Sequence, residues 1–321
     1  MLSVDYENFD LISYLYNLVR QIPDGMVSTY GDLAEALGDP VAARSVGFML
    51  SINKEPDYIP CYKVVPHDGS VGNYTHPLGS AEKMRRLIRD GITITNGHIS
   101  NFEKVRFREF KTDYPLRKLR ELQFKIGRLY DDRNDYSLDT IAAFDVSYKE
   151  TRGYASKVVY NKGKIGAYVY SSDSMFPYIP GYLAFKEFKF IRALYDNETM
   201  ILIDGNGILH PRFAGLATHA GVSLKTASIG IAKHLINCTV KGSDLLISGV
   251  VAGKMIGHHT IVSPGNRINV EEAGRLIEQR EGKEMRSLLR LAHNLTRLHI
   301  ETNGNIARYD FSTRNTAIQS S

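Results

Sequence analysis

Two short apolar runs constrain this chain most: Ile141-Ala142-Ala143-Phe144 and Met200-Ile201-Leu202-Ile203, followed at once by Asp145 and Asp204. Such runs, bounded by polar segments, predict buried strands that end in an aspartate. Lys157 to Tyr160 and Ile165 to Tyr170, separated by Asn161-Lys162-Gly163-Lys164, predict a hairpin, and about Leu183 to Tyr195 predicts a helix. A further element follows over Ala227 to Leu235, and a C-terminal helix lies near Val270 to Arg280. Strands alternating with helices predict an α/β domain with a mixed sheet. An ionised carboxylate at the end of an apolar strand is costly without a counter-charge, and functional sites of α/β sheets gather at strand carboxyl ends. With Glu187 on the intervening helix as a third oxygen donor, Asp145 and Asp204 suit a divalent cation. A cation so held can activate water and shield charge on a scissile phosphate. The two aspartates fit helix or turn caps equally well.

The front of the chain reads differently. Leu11, Leu15, Leu18 and Val19 recur at helical spacing and stop at Pro23-Asp24-Gly25. Ser28 or Thr29 caps a helix with Leu33, Ala34 and Leu37 on its apolar face, Gly38-Asp39-Pro40 ends it, and a second helix runs from about Val41 to Ile52. This is a helix-turn-helix shape, which fits DNA binding and also fits two packed helices. Ala81 to Asp90 predicts a helix on which Lys83, Arg85, Arg86 and Arg89 form a solvated face around Met84, Leu87 and Ile88. Asn96-Gly97, inside Ile94 to Ile99, predicts a two-residue hairpin turn. Over Lys111 to Pro115 the pattern changes, and Leu116, Leu119, Leu122, Ile126 and Leu129 begin a long amphipathic helix. The boundary is placed there, giving domains 1–112 and 113–321. The last ten residues are expected to fray.

Composition removes several classes of function. A chain of 321 residues is long enough for two cores, and 43% hydrophobic with 23% charged residues exclude a disordered or fibrous protein. No apolar run approaches the ~18 residues of a membrane span. Asp5, Glu7 and Asp10 follow Met1 where a secretory signal would be basic and then apolar. A cytoplasmic protein with no membrane partner is expected. Cys61 and Cys238 are the two cysteines, too few for a disulfide framework or a Cys-rich zinc site. Cys238 reads as core filler. Cys61 is either a buried inert thiol or, with a base or a cation such as Lys63 beside it, a nucleophile. Residues 1–112 hold 12 Lys+Arg against 14 Asp+Glu, whereas residues 113–321 hold 28 against 21. The basic surplus of the second part is compatible with a nucleic-acid partner.

Ile22-Pro23-Asp24-Gly25, Ser28-Thr29-Tyr30-Gly31, Ala43-Arg44-Ser45-Val46-Gly47, Asn53, Pro60-Cys61 and Val71-Gly72-Asn73-Tyr74 follow one another in an order that resembles the DNA-binding, active-site domain of O6-alkylguanine-DNA alkyltransferases, over about residues 8–110. The resemblance implies a winged helix-turn-helix-like domain that enters the minor groove. It implies that Arg44 replaces a flipped base and that Cys61 accepts the alkyl group irreversibly. Tyr30 would assist rotation of the nucleotide and protonation of the leaving guanine, Asn53 would brace the helix against the active-site loop, and Tyr74 would line the alkyl pocket. The family normally has His after the cysteine, linked through water to a Glu; here Tyr62 and Asp90 stand at those positions. A tyrosine of ordinary pKa is a poor base, so a front domain that binds alkylated DNA without reacting is the alternative.

The second part resembles endonuclease V over about residues 113–300. The matching segments are Phe144-Asp145-Val146-Ser147-Tyr148, Pro177-Tyr178-Ile179-Pro180-Gly181 with Phe185-Lys186-Glu187, Ile203-Asp204-Gly205-Asn206-Gly207 with His210-Pro211, Ile229-Gly230-Ile231-Ala232-Lys233, and Val262-Ser263-Pro264-Gly265. The resemblance implies a ribonuclease-H-like mixed-sheet fold and nicking of DNA at the second phosphodiester bond 3′ to a deaminated base, chiefly deoxyinosine. By it Asp145, Glu187 and Asp204 bind Mg²⁺, with Mn²⁺ as a substitute and no organic cofactor. His210 lies near the metal and Lys233 near the scissile phosphate. Pro177 to Pro180 wedges into the duplex, with Tyr178 stacking and Gly181 near the base pocket. The family commonly has His after Ser-Pro-Gly; Asn266 stands there and can orient water or bond a phosphate but cannot titrate. The expected partners are damaged DNA, carrying O6-alkylguanine or deoxyinosine, with inosine-containing RNA as the alternative for the second part.

Overall fold

The structure is a computed structural model that describes residue 6, residues 9–257 and residues 259–303. The expected fraying of the last ten residues lies outside the described residues. The chain forms two compact units, one comprising the described residues up to Glu121 with Met175–Pro180, the other Leu122–Ser174 with the described residues from Gly181 onward.

In the first unit, α1 (Leu11–Val19) precedes a helix-turn-helix made of α2 (Tyr30–Leu37) and α3 (Ala43–Ser51). Thr29 and Asp32 form a reciprocal capping box at the start of α2, which satisfies backbone N–H groups that the first turn leaves unpaired. Gly38 ends α2 at φ +105°, and a Cβ there would come within 2.8 Å of the Arg117 backbone nitrogen. Two-residue strands β1 (Ser28–Thr29) and β2 (Val64–Val65) pair in parallel. Helix α4 (Gly79–Arg89) follows, then the hairpin of β3 (Ile94–Thr95) and β4 (His98–Ile99), with Asn96 and Gly97 both at positive φ as its tight turn requires. Helix α5 (Phe102–Val105) closes this part, and α6 (Pro115–Arg128) begins the next.

Of the face of α4 expected to be solvated, Arg85 and Arg89 are exposed but Lys83 and Arg86 are not. Lys83 is 1% exposed and donates to the Val64 and Asn73 carbonyls, while Arg86 is buried against Glu82 and Asp57. Basic residues are buried here because each finds carbonyl or carboxylate acceptors, without which the burial would be prohibitive.

The second unit is built on a sheet that, among the described residues, has nine strands in the order β10-β11-β12-β13-β9-β8-β5-β6-β7. These are β5 (Thr140–Lys149), β6 (Arg152–Asn161), β7 (Lys164–Asp173), β8 (Met200–Asp204), β9 (Ala227–Ala232), β10 (Thr239–Lys241), β11 (Asp244–Ile247), β12 (Val250–Ile256) and β13 (Thr260–Asn266). The central β5, β8 and β9 are parallel and the outer pairs antiparallel, the mixed sheet expected from the sequence. Helices α7 (Leu183–Leu194) and α8 (Leu216–Leu224) connect the parallel strands, and α9 (Val270–Glu278) and α10 (Arg280–Glu301) complete the unit. No helix among the described residues is long and apolar enough to cross a membrane.

Two expectations change. Asp145 does not end its strand, because β5 continues to Lys149, paired to β6 throughout; it is the parallel pairing with β8 that stops, at Phe144 opposite Ile203. The register therefore brings Asp145 and Asp204 side by side. The C-terminal helical region also extends well beyond Arg280 as α10, whose Met285, Leu288, Ala292 and Leu295 join the core of Val158, Leu202, Ile229 and Val262. Its spacing of apolar residues meets the sheet along one stripe. Cys238 is half-buried and packs at the margin of the cluster around Leu209 and Leu245.

Candidate functional sites

In the first unit, Cys61 opens a single 3-10 turn, Cys61–Lys63, directly after Pro60. Its Sγ is buried and accepts a hydrogen bond from Asn53 Nδ2 at 3.2 Å; the same Asn53 nitrogen lies 3.5 Å from the Ile59 carbonyl. Asn53 thus ties the end of α3 to the cysteine loop. Tyr62 Oη donates to Asp90 Oδ2 at 2.7 Å, and burial together with that carboxylate pushes the phenol up to about 12. It is a neutral donor near neutral pH. Lys63 does not serve the thiol: its Nζ donates to Asp24 Oδ1 at 2.6 Å and to the Ile22 carbonyl at 3.1 Å, 3.9 Å from Asp90.

The cation that interacts electrostatically with Cys61 is Lys83, whose own ammonium is pulled down to about 8 by burial. Tyr30 and Tyr74 also lie within the field of Cys61, and burial first, then that thiol, raises both phenols. The buried Tyr74 hydroxyl has no well-formed hydrogen-bond partner among the described residues. Arg44 is exposed on α3. The thiol thus has an amide donor in contact and interacts electrostatically with a buried cation and two phenols. Lys83 escaped the sequence reading because charge at helical spacing resembles a solvated face; only the fold shows it turned inward.

In the second unit, one donor atom each of Asp145, Asp204 and His293 lies within 4.8 Å of the other two. Strands β5 and β8 supply the aspartates and α10 supplies the histidine. Asp145 is 6% exposed; its Oδ1 is 3.3 Å from His293 Nδ1, and its Oδ2 is buried without a hydrogen-bond partner among the described residues. Asp204 Oδ2 is 3.4 Å from Lys233 Nζ at the surface. Glu187 on α7 is not in the tight set, but it interacts electrostatically with both aspartates. Burial pushes its carboxyl up to about 8, with Lys186 opposing and the two aspartates adding to the rise. Two carboxylates and an imidazole around an orphaned carboxylate oxygen are a donor set that fits a divalent cation. His293 was invisible in the sequence, since a lone histidine 148 residues from Asp145 carries no spacing signal.

His210 is not part of this set. Its Nδ1 accepts from the Arg212 backbone N–H at 3.1 Å, which leaves Nε2 to donate to the Gly181 carbonyl at 3.2 Å. Burial, then Arg212, lowers the ring to about 4, so it stays neutral. Gln123 Nε2 at 3.0 Å and Arg212 Nη2 at 2.5 Å donate to the same carbonyl. Gly181 sits at φ +79°, and a Cβ there would lie 2.6 Å from Arg212 Nη2, so three donors and the backbone conformation hold this loop in place. Tyr178 and Pro180 are exposed within Met175–Pro180. Asn266 is buried: Nδ2 donates to the Gly221 and Thr226 carbonyls, and Oδ1 accepts from the Asp131 N–H. Its amide is consumed in bracing α8 against β13.

Comparison with known proteins finds a different family for each part of the chain. The family model "Endonuclease V" matches residues 121–294, and "6-O-methylguanine DNA methyltransferase, DNA binding domain" matches residues 12–92. The chain is 46% identical over 291 residues to the bifunctional methyltransferase/endonuclease of Picrophilus torridus, covering 90% of this chain and 97% of the relative. It is 29% identical over 304 residues to the bifunctional methyltransferase-like/endonuclease of Nanoarchaeum equitans, covering 92% and 95%. Among solved structures, the catalytic domain of human endonuclease V superposes with a TM-score of 0.54 at 24% identity, over 60% of this chain and 98% of that one, which shows the shared fold. Two sites of different chemistry, each in the unit that its family model matches, and a relative similar along nearly the whole length lead to one conclusion: the chain belongs to the family of bifunctional methyltransferase/endonuclease DNA-repair proteins, and its second part is an endonuclease V domain.

Proposed function

We propose that the protein transfers an alkyl group from O6-alkylguanine in DNA to Cys61 and nicks DNA 3′ to deoxyinosine with Mg²⁺, for which Mn²⁺ can substitute. The observation that carries the nuclease reading is the buried Asp145 Oδ2, unpartnered among the described residues, on a carboxylate grouped with Asp204 and His293. Asp145, Asp204 and His293 would hold the cation, which when bound supplies an activated water and shields charge at the scissile phosphate. Lys233 offers a surface cation to that phosphate, the clamped Gly181 borders the pocket for the flipped base, and Tyr178 stacks where the base has left. Flipping is cheapest at a mispaired base, which contributes selectivity.

In the first unit, Cys61 Sγ attacks the alkyl carbon, the bond from that carbon to guanine O6 breaks, and the guanine departs with the proton that the thiol gives up. Asn53 N–H and the Lys83 ammonium stabilise negative charge developing on sulfur. Tyr30 relays that one proton, handing its own to the departing base as it takes up the one the thiol gives up. Arg44 fills the space that the nucleotide vacates.

The Tyr62–Asp90 hydrogen bond favours a second reading, in which the first unit recognises alkylated DNA without reacting, because Tyr62, held as a neutral donor, supplies no base to the thiol. Intact mass and peptide mapping after incubation with an O6-methylguanine oligonucleotide decide between them. One methyl on the Cys61 peptide supports transfer; tight binding with no adduct supports a reader. For the second unit, matched inosine duplex DNA and inosine RNA, each with and without Mg²⁺, test substrate and metal together. Cleavage that persists in a chelator, or that ignores inosine, overturns the nuclease reading.

A further inference from the structure

Beside the exposed Pro40, Val41 in the turn before α3 and Arg44, Phe48 and Ser51 within it are exposed. Spaced three and four residues apart, they form one stripe on the helix surface. Val41 is 43% and Phe48 46% exposed, while Val46, Met49 and Leu50 fill the core side. Large apolar groups on either side of a lone cation are a costly surface to present to water alone, and they do not suit a partner made only of charge.

We propose that Phe48, flanked by Val41, is an apolar wedge that packs into the minor groove of a distorted duplex one helical turn from Arg44. This inference rests on the alkylated-DNA reading above and adds the residue that deforms the duplex. Within this stripe the charge is positive, although residues 1–112 as a whole hold more acidic than basic residues, and that local charge selects the occupant. Arg44, the charged member of the stripe, suits a groove walled by phosphates, and the stripe lies within the residues matched by the DNA-binding family model. The spacing also fits. Four residues of helix rise by about 6 Å, near twice the ~3.4 Å between successive charges of one DNA strand, so an Arg44 that occupies the space of a flipped base places Phe48 about two steps along. Unstacked base faces and sugar edges there are apolar, and minor-groove proteins exploit them with inserted apolar side chains that kink the duplex.

The test uses the full chain in a Cys61→Ser background with chelator present, so that neither chemistry proceeds. Anisotropy titrations compare an O6-methylguanine duplex with its guanine counterpart across a salt series, and end-to-end energy transfer reports bending. Phe48→Ala is expected to weaken lesion-duplex binding by roughly 10- to 100-fold, with the slope of log affinity against log salt unchanged and the bend reduced. Phe48→Leu retains part of both, and Arg44→Ala lowers the salt slope by about one. Equal affinity and equal bending for Phe48→Ala overturn the inference, and so does a changed salt slope in that variant, because the ring would then act through phosphate contacts. If the protein with Phe48 intact does not distinguish lesion from guanine duplex, the alkylated-DNA reading itself falls.

Discussion

Asp145 Oδ1 lies 3.3 Å from His293 Nδ1, joining a central strand to the last described helix across most of the second unit's sequence. The Thr296 hydroxyl, one turn along α10, faces the Asp145 carbonyl at 3.4 Å and shares a 2.8 Å hydrogen bond with Ser156. This buried contact sets where His293 stands. His293→Ala is expected to lower cation affinity by about 10- to 100-fold, and Asp145→Asn by at least about that much. Calorimetric Mn²⁺ titration, read beside inosine-DNA nicking, checks both, and alkyl transfer to Cys61 should be unaffected. A folded Asp145→Asn protein that loses both activities would refute independent sites.

Thr296→Val keeps the shape of α10 and removes one hydroxyl from that contact. We expect a stability loss of ~1–2 kcal/mol by urea unfolding, with cation affinity also reduced. Thr296→Ser should restore the affinity, which a purely steric role for the side chain would not require.

Lys83 gives a pH signature. Its folded pKa is lowered from 10.5 to about 8, so in that interval the unfolded chain binds the extra proton. Stability attributable to this residue therefore rises with pH between those values, and below them the charged form carries its full burial penalty. Relative to Lys83→Met, the protein should gain up to about 3 kcal/mol from pH 8 to 10.5, read as the difference between two unfolding series. A flat difference would show that Lys83 does not titrate there.

Tyr62 is a donor to Asp90 rather than a base, so Tyr62→Phe should change the alkyl-transfer rate by less than about threefold while costing ~1 kcal/mol of stability. Asn53→Ala removes the hydrogen bond to Sγ and should slow transfer about tenfold or more. Single-turnover kinetics on an O6-methylguanine duplex separate the two. A large effect of Tyr62→Phe would place the phenol in the proton path.

Gly181→Ala combines a positive φ with a clash against Arg212 Nη2. The backbone strain alone is ~1–2 kcal/mol, and relief of the clash requires the Arg212 guanidinium, one of the three donors, to shift away from the Gly181 carbonyl. Nicking should fall sharply while the far-ultraviolet circular dichroism stays that of the native protein. Unchanged nicking would mean that the Gly181 carbonyl need not be held.

Much was legible from local pattern alone. The capped helix-turn-helix, the Asn96-Gly97 turn and the apolar strands before Asp145 and Asp204 all follow from short-range rules, since turn chemistry and the alternation of apolar residues act within a few residues. The motif order also carried the two families. Tertiary structure decided what depends on packing between distant segments. It turned Lys83 inward, because the Val64 and Asn73 carbonyls accept its protons. It ran β5 on past Asp145, because β6 pairs with its whole length. It used His210 and Asn266 as braces, because backbone groups from remote segments converge on their side chains. It brought His293 to Asp145, because the apolar stripe of α10 must bury itself on the sheet, and the helix phase that does so also points His293 at the aspartate. By itself the sequence determined which residue types were available and which local elements they form; the fold decided which of them meet, since burial and hydrogen-bond satisfaction are settled only when distant segments pack.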